Sequence, residues 1–253
     1  MPYELLIPIR MAAAARPGLP EQRGMHAIFL AALQTADPAL SQIVHDAFVK
    51  PFTQALLEND DRDKLTWRVT LLDDNLYGPF VAGLSSLNPG RLLNQKVHLD
   101  ISAMQTHQRT YAELAETAAA SRCDIRFHTP TTFKQSNRHL PIPDPYRCFQ
   151  SWWSRWVYFA PPALTINIAL LDIVQTHLAV SRFSLHSQAW SDGQRRLIGA
   201  VGKMQMVTLQ PKKLEAHWWQ EVATLAAFAP YCGTGHKTSQ GLGQTSLAPG
   251  EAR

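Results

Sequence analysis

The sequence has few cysteines, no long apolar run and no obvious metal-binding spacing. Cys123, Cys148 and Cys232 are the three cysteines in 253 residues, and no C-x-x-C pair occurs. This excludes a disulfide framework and gives no indication of a structural zinc site. No apolar run reaches the roughly 18 residues that a membrane-spanning helix needs. The first ten residues alternate like a strand and show no basic and then apolar leader. We therefore expect a cytoplasmic protein with no membrane partner.

Charged residues are also scarce, at 17% of the chain, whereas hydrophobic residues make up 45%. A chain of this length and composition buries roughly 70% of its unfolded surface, which excludes wholesale disorder and collagen. The net charge of +4 is unevenly distributed: residues 1–126 contain 12 basic and 14 acidic side chains, and residues 127–253 contain 12 and 6. The C-terminal half is therefore the predicted face for a polyanion.

The hydrophobic pattern of residues 1–104 predicts one βαββαβ unit. The predicted elements are a strand at 3–10, helices at 25–34 and 38–50, strands at 52–57 and 65–73, a helix at 75–87 and an extended stretch at 91–104. This order of elements is typical of a ferredoxin-like domain.

The same order recurs after a helical connector at 110–122. The predicted elements are a strand at 123–133, a helix at 143–156, strands at 181–190 and 196–209, a helix at 213–230 and a strand at 244–247. Within the first of these helices, Phe149, Trp152 and Trp156 recur at helical spacing, which predicts core packing rather than base stacking. The predicted fold class is α+β, with two tandem ferredoxin-like (RRM-like) βαββαβ domains at 1–104 and 105–253.

The most specific motif is a glycine-rich loop, PYCGTGHKTSQGLGQT, near the C-terminus. Glycines at this density let the backbone take positive φ and aim N–H groups at an anion, so a phosphate is the predicted ligand. Because the loop follows a predicted helix, the adjacent helix end is partially negative, and a mononucleotide site is disfavoured. The loop must then attract an anion through its own amides and side chains. A turn that only joins helix and strand is the alternative. The residues concerned are Gly233, Gly235, His236, Lys237, Thr238, Ser239, Gly241 and Gly243.

Six segments carry a resemblance to a known family. They are AAFAPYCGTGHKTSQGLGQ, RFHTPTTF, PDPYRCFQSWWSRW, RRLIGAVGKMQM, RGMHAIFLAAL and VHDAFVKPFTQALL, and together they cover nearly the whole chain. The sequence resembles the CRISPR-associated endoribonucleases that process repeat RNA, the sixth Cas protein family of the RAMP superfamily. Two tandem ferredoxin-like domains are also what this resemblance implies.

The resemblance implies cleavage of CRISPR precursor RNA within each repeat, without metal or cofactor. The expected products carry a 5′-hydroxyl on one fragment and a 2′,3′-cyclic phosphate on the other. The implied partner is a repeat RNA, as a hairpin or other structured repeat. Other CRISPR-associated proteins and a second copy of the chain are left open as partners.

His26 is the candidate general acid or base, because it matches the family's histidine at the start of the first helix. The positive end of that helix would favour neutral imidazole. Some family members add a tyrosine and a lysine nearby, whereas the loop here offers Arg16 and Arg23. Arg23 is therefore a candidate for stabilising phosphate charge, and Lys50, after the second predicted helix, is a further candidate.

Basic residues of the C-terminal half are the candidate RNA contacts besides the glycine loop. Their chemistry suits the phosphates of an RNA hairpin, where shape and backbone are read more than base edges. These residues are Arg126, Lys134, Arg138, Arg195, Arg196 and Lys203.

Two rival functions are left open by the sequence. A catalytically silent repeat-RNA-binding subunit would share the loop and the basic half and would use His26 only structurally. The pair His45-Asp46 would fit a metal-dependent phosphohydrolase, which needs further ligands on an all-helical fold. The predicted strands argue against this second rival.

Overall fold

The computed structural model forms two compact units. It describes residues 1–11, 18–58, 65–87, 90–92, 95–191, 194, 196–210 and 215–248. The first unit comprises Met1–Gln108, Trp190–Arg196 and Lys237–Gly241, and the second comprises Arg109–Ala189, Leu197–His236 and Leu242–Arg253. The predicted boundary at residue 104 stays a prediction, and the observed grouping adds two short segments from the C-terminal half to the first unit.

The first unit is a helix-covered antiparallel sheet. Its elements are β1 (Tyr3–Met11), α1 (Leu19–Ala36), α2 (Pro38–Asp46), β2 (Phe52–Glu58), β3 (Leu65–Leu71), α3 (Tyr77–Ser86), β4 (Gly90–Leu92), β5 (Gln95–Leu99) and β6 (Gln105–Gln108), with 3-10 turns at Asp74–Leu76 and Ile101–Ala103. The described strands are ordered β2-β3-β1-β5-β4, and β6 also pairs with β1. The central strand β1 is therefore bordered by β3 along its length, from Tyr3 opposite Leu71 to Ile9 opposite Leu65.

The second unit repeats this plan. Its elements are α4 (Tyr111–Ala115), β7 (Arg122–Thr131), β8 (Phe133–Gln135), β9 (Arg138–Leu140), α5 (Pro145–Phe159), α6 (Leu170–His177), β10 (Leu178–Ser191), β11 (Arg196–Thr208), α7 (Ala216–Cys232) and β12 (Thr245–Leu247), with a 3-10 turn at Pro162–Leu164. The main strands are ordered β10-β11-β7-β12, and β8 and β9 form a separate hairpin. The order second, third, first, fourth matches that of β2, β3, β1 and β5, and the predicted α+β class with tandem ferredoxin-like units is confirmed.

Each core follows the hydrophobic period of its elements. Alternate residues of β1 point inward, and Leu5 and Ile7 are fully buried, as expected for a strand with one covered face. Helices α1 and α3 touch at Gly83, where an added Cβ would lie 1.9 Å from the carbonyl oxygen of Ala32. In the second unit Trp152 and Trp156 are completely buried, which confirms the predicted core role.

Helix α1 begins at Leu19, six residues before the predicted start at residue 25. Pro20 occupies the first turn, and the Gly18 amide donates to the Glu21 carboxylate at 2.9 Å in a capping box. The sequence reading was wrong because it treated proline and glycine as loop signals, although proline is favoured in a first helical turn. His26 therefore lies in the third turn of α1 and not at its start.

Three other boundaries also differ from the predictions. Helix α2 ends at Asp46, four residues before the predicted end at Lys50, because Ala47 leaves the helical backbone with ψ 126°. The stretch 91–104 contains part of the β4–β5 hairpin and a 3-10 turn, and the connector helix α4 is only five residues long. Helix α6 lies in a segment for which the sequence analysis predicts no element. Among the described helices, none combines the length and apolar character needed to cross a bilayer.

Candidate active site

His26 is held against the glycine-rich loop inside the first unit. Its ring is half-buried on α1, stacks on Phe52 with ring centroids 5.5 Å apart, and bonds through Nδ1 to the carbonyl oxygen of Ser239 at 2.9 Å. A carbonyl only accepts hydrogen bonds, so Nδ1 carries the hydrogen. Nε2 has no hydrogen-bond partner among the described residues. Nε2 is therefore the ring atom of His26 that can accept or donate a proton.

A buried amide network fixes the carbonyl that orients His26. The side-chain Nε2 of Gln54 donates to Ser239 O and to Gln22 O, each at 3.0 Å, and Gln54 Oε1 accepts from the indole of Trp67 at 3.0 Å. Gln54 is fully buried, so each of these polar atoms needs its partner. The network therefore holds the loop, the first helix and β2 in one arrangement.

Gln22 completes this network one helical turn before His26. Its Nε2 donates to Leu56 O at 3.0 Å, and the Leu56 amide donates to Gln22 Oε1 at 2.9 Å. The side chain thus pairs with β2 as a neighbouring strand would. Residues four apart share a helix face, so Gln22 anchors to β2 the same face of α1 that presents His26.

The pKa of His26 is lowered from its ordinary value, chiefly because burial disfavours the charged ring. The bond to Ser239 O acts in the opposite direction, and the positive charges of Lys50 and His45 lower the pKa further. The sequence-based reason was the positive end of α1, but the dipole effect fades after the first turn. Burial, and not the helix dipole, is therefore the main reason that the His26 ring is neutral.

Lys50 lies near His26, and its side chain is bonded to the end of α2. Its Nζ donates to the carbonyl oxygens of Val44 and His45, the last turn of α2. These are carbonyls that a helix end leaves without partners. Burial lowers the pKa of Lys50, against an opposing effect of Asp46. Arg23 is half-buried on α1 three residues before His26, whereas Arg16 lies outside the described residues.

The glycines of the loop allow its backbone to pass close to neighbouring atoms of the protein. Gly235 has φ +83°, and an added Cβ would lie 2.3 Å from Thr132 O; Gly241 has φ +92°, and its Cβ would lie 2.4 Å from Gln22 Oε1. Gly233 and Gly243 also have positive φ, as does Lys237 with φ 59°. Glycine is the residue that adopts such backbone at little cost.

Four of the loop amides that were predicted to face an anion bond to the protein instead. The amides of Gly233, Gly235, His236 and Gly243 donate within the second unit, to Ala229 O, Ser151 Oγ, Thr132 O and Pro130 O respectively. Arg155 also donates to Gly235 O at 3.0 Å. A donor already paired with the protein is not available to a phosphate. These amides fix the path of the loop instead.

The predicted side chains of the loop differ in exposure. Thr238 and Ser239 are buried, so their side chains face the protein, whereas His236 and Lys237 are half-buried. The ring of His236 lies 5.5 Å from that of His139. His139 stands opposite Lys134 in the β8–β9 hairpin. The second unit thus brings the loop's imidazole beside a hairpin with exposed cations.

Two further predicted RNA contacts face each other on the sheet of the second unit. Arg126 on β7 is directly opposite Lys203 on β11, and both are exposed. Arg138 is exposed in the β8–β9 hairpin, and Arg196 is exposed at the start of β11. Arg195 lies outside the described residues.

Several residues of the site were missed from the sequence. Gln22, Gln54 and the carbonyl of Ser239 orient His26, and Ser151 and Arg155 hold Gly235. Gln54 carries a usable signal, a polar residue within an apolar strand pattern. The others have none, because their roles depend on partners far away in the chain. Among the described residues, no group of three or more His, Cys, Asp or Glu side chains could hold a metal ion.

Comparison with known proteins shows which family the chain resembles. The family model described as CRISPR-associated endoribonuclease Cas6 matches residues 125–245. The CRISPR-associated endoribonuclease Cas6 of Streptococcus thermophilus is 22% identical over 219 residues, covering 85% of this chain and 87% of that protein. A solved Cas6 product complex has a TM-score of 0.85 at 25% identity, covering 98% of this chain and all of the other. Thermus thermophilus Cas6 has a TM-score of 0.75 at 26% identity, covering 98% of each chain.

The fold and its structural neighbours define a protein built from two ferredoxin-like units, as in the solved Cas6 structures. The resemblance found in the sequence is confirmed by these relatives. The chain resembles the Cas6 family of CRISPR-associated endoribonucleases in the sequence of residues 125–245 and in its fold. The two sheets also exclude the all-helical fold that the phosphohydrolase alternative requires.

Proposed function

We propose that this chain is a metal-independent endoribonuclease that binds CRISPR precursor RNA and cuts it within the repeat, leaving 5′-hydroxyl and 2′,3′-cyclic phosphate ends. The observation that carries the proposal is the bond from His26 Nδ1 to Ser239 O, at 2.9 Å. This bond holds the His26 ring against the loop that carries the family resemblance and leaves Nε2 for the reaction, which supports a role for His26 in proton transfer.

The reaction proceeds by in-line attack of the 2′-hydroxyl on the adjacent phosphate. A base removes the 2′-hydroxyl proton, a cation offsets the charge on the phosphate oxygens, and an acid protonates the 5′-oxygen as it leaves. The lowered pKa of His26 keeps its ring neutral at neutral pH, as a base requires. Lys50 and Arg23 are the cations proposed to stabilise the phosphate.

The proposed RNA-binding surface includes the sheet of the second unit. Like charges directly opposite in a sheet are destabilising, yet Arg126 and Lys203 are paired in this way and exposed. A bound polyanion would remove this cost, which supports a phosphate contact at the pair. Lys237 and His236 of the loop, and Lys134 and Arg138 of the β8–β9 hairpin, are the further proposed contacts.

The surroundings of the enzyme are part of the same proposal. A cytoplasmic location is supported by the free state of its cysteines, of which Cys148 and Cys232 are buried. Other CRISPR-associated proteins and a second copy of the chain stay predicted partners.

The test is cleavage of the cognate repeat hairpin by the purified protein in EDTA, with mapping of the cut and its end groups. We expect cleavage by the wild type, and a loss of about 10²- to 10⁴-fold in His26→Ala with hairpin affinity unchanged. Affinity should also fall steeply with salt, since basic side chains displace condensed counterions. Binding without cleavage by the wild type would instead support the catalytically silent RNA-binding subunit.

A further inference from the structure

A fully exposed phenylalanine lies between the end of α2 and the start of β2 in the first unit, and the reaction as proposed above gives it no role. Phe48 is 100% exposed, whereas Phe29, Phe52 and Phe80 of the same unit are completely buried. A phenylalanine side chain gains free energy when it leaves water, and Phe48 gains none in the folded protein. The whole face of its ring is therefore open to a partner.

The short segment that carries Phe48 is held at both ends. At one end the Ala47 amide donates to Ile43 O at 2.9 Å, which closes the last turn of α2. At the other end Pro51 O accepts from the Leu72 amide at 2.8 Å, directly before β2 begins. A group that the fold already holds in place loses little conformational entropy when it binds a ligand. Phe48 is therefore presented on a fixed turn.

The same segment borders the candidate active site. Lys50 lies two residues after Phe48, a stretch of chain that spans at most about 7 Å. The positive charge of Lys50 is among the causes that lower the pKa of His26, and charges act in this way only over short distances near a protein surface. Phe52, four residues after Phe48, stacks on the His26 ring. Phe48 therefore lies at the edge of the site that is proposed to cut the RNA.

The proposed reaction requires a nucleotide that has left the regular stack of the RNA strand. In-line attack needs the 2′-oxygen, the phosphorus and the 5′-oxygen close to one line, and the regular helical backbone does not align them. A base that leaves the stack loses its neighbours, and an aromatic side chain can replace one of them. Among the described residues of the first unit, Phe48 is the one exposed phenylalanine, tyrosine or tryptophan.

We propose that the Phe48 ring stacks on the base of a nucleotide beside the scissile phosphate and so holds that nucleotide out of the RNA stack. This inference rests on the function proposed above. Phe48 binds and positions the substrate, and it takes no part in proton transfer. Because stacking uses the face of a base and not its edge, the presence of a base at this position should matter more than its identity.

The first part of the test compares Phe48 variants in single-turnover cleavage of the repeat hairpin in EDTA, with enzyme below saturation. Phe48→Ala should lower the second-order rate constant about 5- to 150-fold, the effect of one base stacked on one aromatic side chain. Phe48→Leu keeps an apolar side chain without an aromatic ring and should fall nearly as far. Phe48→Tyr keeps the ring and should stay within about threefold of the wild type.

The second part uses two further hairpins, each of which lacks the base of one ribonucleotide beside the cut. Removing the base that stacks on Phe48 should slow the wild type by about the same factor as Phe48→Ala does. It should slow Phe48→Ala by less than about twofold more, because the same interaction is already lost. Removing the other base should slow the wild type and Phe48→Ala equally. This pattern identifies which of the two nucleotides contacts the ring.

Phe183→Ala is the matched control, because Phe183 on β10 is 69% exposed, and its effect should not depend on either base. Urea denaturation should give Phe48→Ala the stability of the wild type, since the ring packs on nothing. Wild-type cleavage by Phe48→Ala, or losses from substitution and base removal that simply multiply, would overturn the stacking role and leave the endoribonuclease intact. Wild-type cleavage with a lower mass in sedimentation would instead assign the ring to a contact between copies. A wild type that binds the normal hairpin without cutting it would overturn the proposed function and the inference with it.

Discussion

The two halves of the glycine-rich loop are both rich in glycine, but different contacts hold them in place. Residues 233–236 belong to the second unit, where Gly235 lies against the backbone of Thr132. Residues 237–241 belong to the first unit, where Gly241 lies against the side chain of Gln22 and Ser239 O accepts from His26. Contacts with the backbone of Thr132 thus hold the first half. The amide side chains of Gln22 and Gln54 hold the second half beside His26. The glycine-rich sequence therefore helps to build the candidate site through close contacts of its backbone.

Gly235→Ala should produce the largest effect, because it breaks the first half of this comparison. The new Cβ would lie 2.3 Å from Thr132 O, a backbone atom, at φ +83°. We expect a loss of about 3 kcal/mol in the free energy of unfolding, measured by urea denaturation. Gly78→Ala on α3 is the control, since no atom lies within 4 Å of its added Cβ and its stability should not fall. Equal stability of the two variants would contradict the assigned role of the first half.

Gly241→Ala tests the second half of the loop. It should destabilise the protein less than Gly235→Ala does, but each kcal/mol of lost stability should reduce cleavage more. Its Cβ would meet Gln22 Oε1 at 2.4 Å, and a side chain yields more readily than backbone. We expect about 2 kcal/mol of destabilisation. Cleavage should fall about 10- to 100-fold at temperatures where the variant is fully folded, because Ser239 O shifts and misplaces His26. Single-turnover rates at matched folded fraction check this. A wild-type rate would show that the loop does not position the histidine.

Arg126→Gln should affect binding and stability in opposite directions. Removing one of two like charges paired across β7 and β11 should raise the free energy of unfolding by about 0.2–1 kcal/mol. The slope of log affinity for the hairpin against log salt should fall by about 0.9, the share of one phosphate contact. Arg122→Gln on the same strand is the control, since Arg122 bonds to Asp124 at 2.6 Å and its loss should not stabilise. An unchanged salt slope would remove Arg126 from the RNA-binding surface.

Lys50→Gln should lower the maximal rate, because it removes a cation proposed to stabilise the phosphate, and its smallest effect should be a shift of the pH profile near His26. Removing a positive charge favours the imidazolium, so the pKa of His26 rises. As the pH falls, the variant should therefore lose cleavage at a higher pH than the wild type does. The rate on a hairpin with sulfur in place of the 5′-oxygen at the cut site isolates the base, because the sulfur leaves without being protonated. His45 is the other positive group that lowers the pKa of His26. A profile shifted to lower pH would contradict the sign.

Stability follows the same lowered pKa. Because the folded pKa of His26 lies below its unfolded value, the unfolded chain binds more protons between the two. The contribution of the neutral ring is complete above the ordinary histidine pKa of about 6.5, and it is lost as pH falls from there toward the folded value. His26→Gln should abolish this part of the pH dependence in urea denaturation.

The sequence predicted most of the fold because local pattern and burial agree in the strands. The alternation of Leu5, Ile7 and Ile9 in β1 has one interpretation, since a strand with one covered face must bury alternate residues. The start of α1 was missed because Pro20 has opposite meanings in a first turn and in a helix interior. Among the site residues, His26 was found only through the family resemblance, since one histidine among ten carries little signal.

By itself the sequence determined the two ferredoxin-like units, the glycine-rich loop and the basic C-terminal half, because period, glycine content and charge are local properties. The tertiary structure decided which atoms meet. Ser239 is 213 residues from His26, and only folding brings its carbonyl within 2.9 Å of the ring. Contact with that carbonyl fixes the proton on Nδ1, and burial lowers the pKa. These two properties make an ordinary histidine suitable for proton transfer, and both depend on neighbours that chain order does not specify.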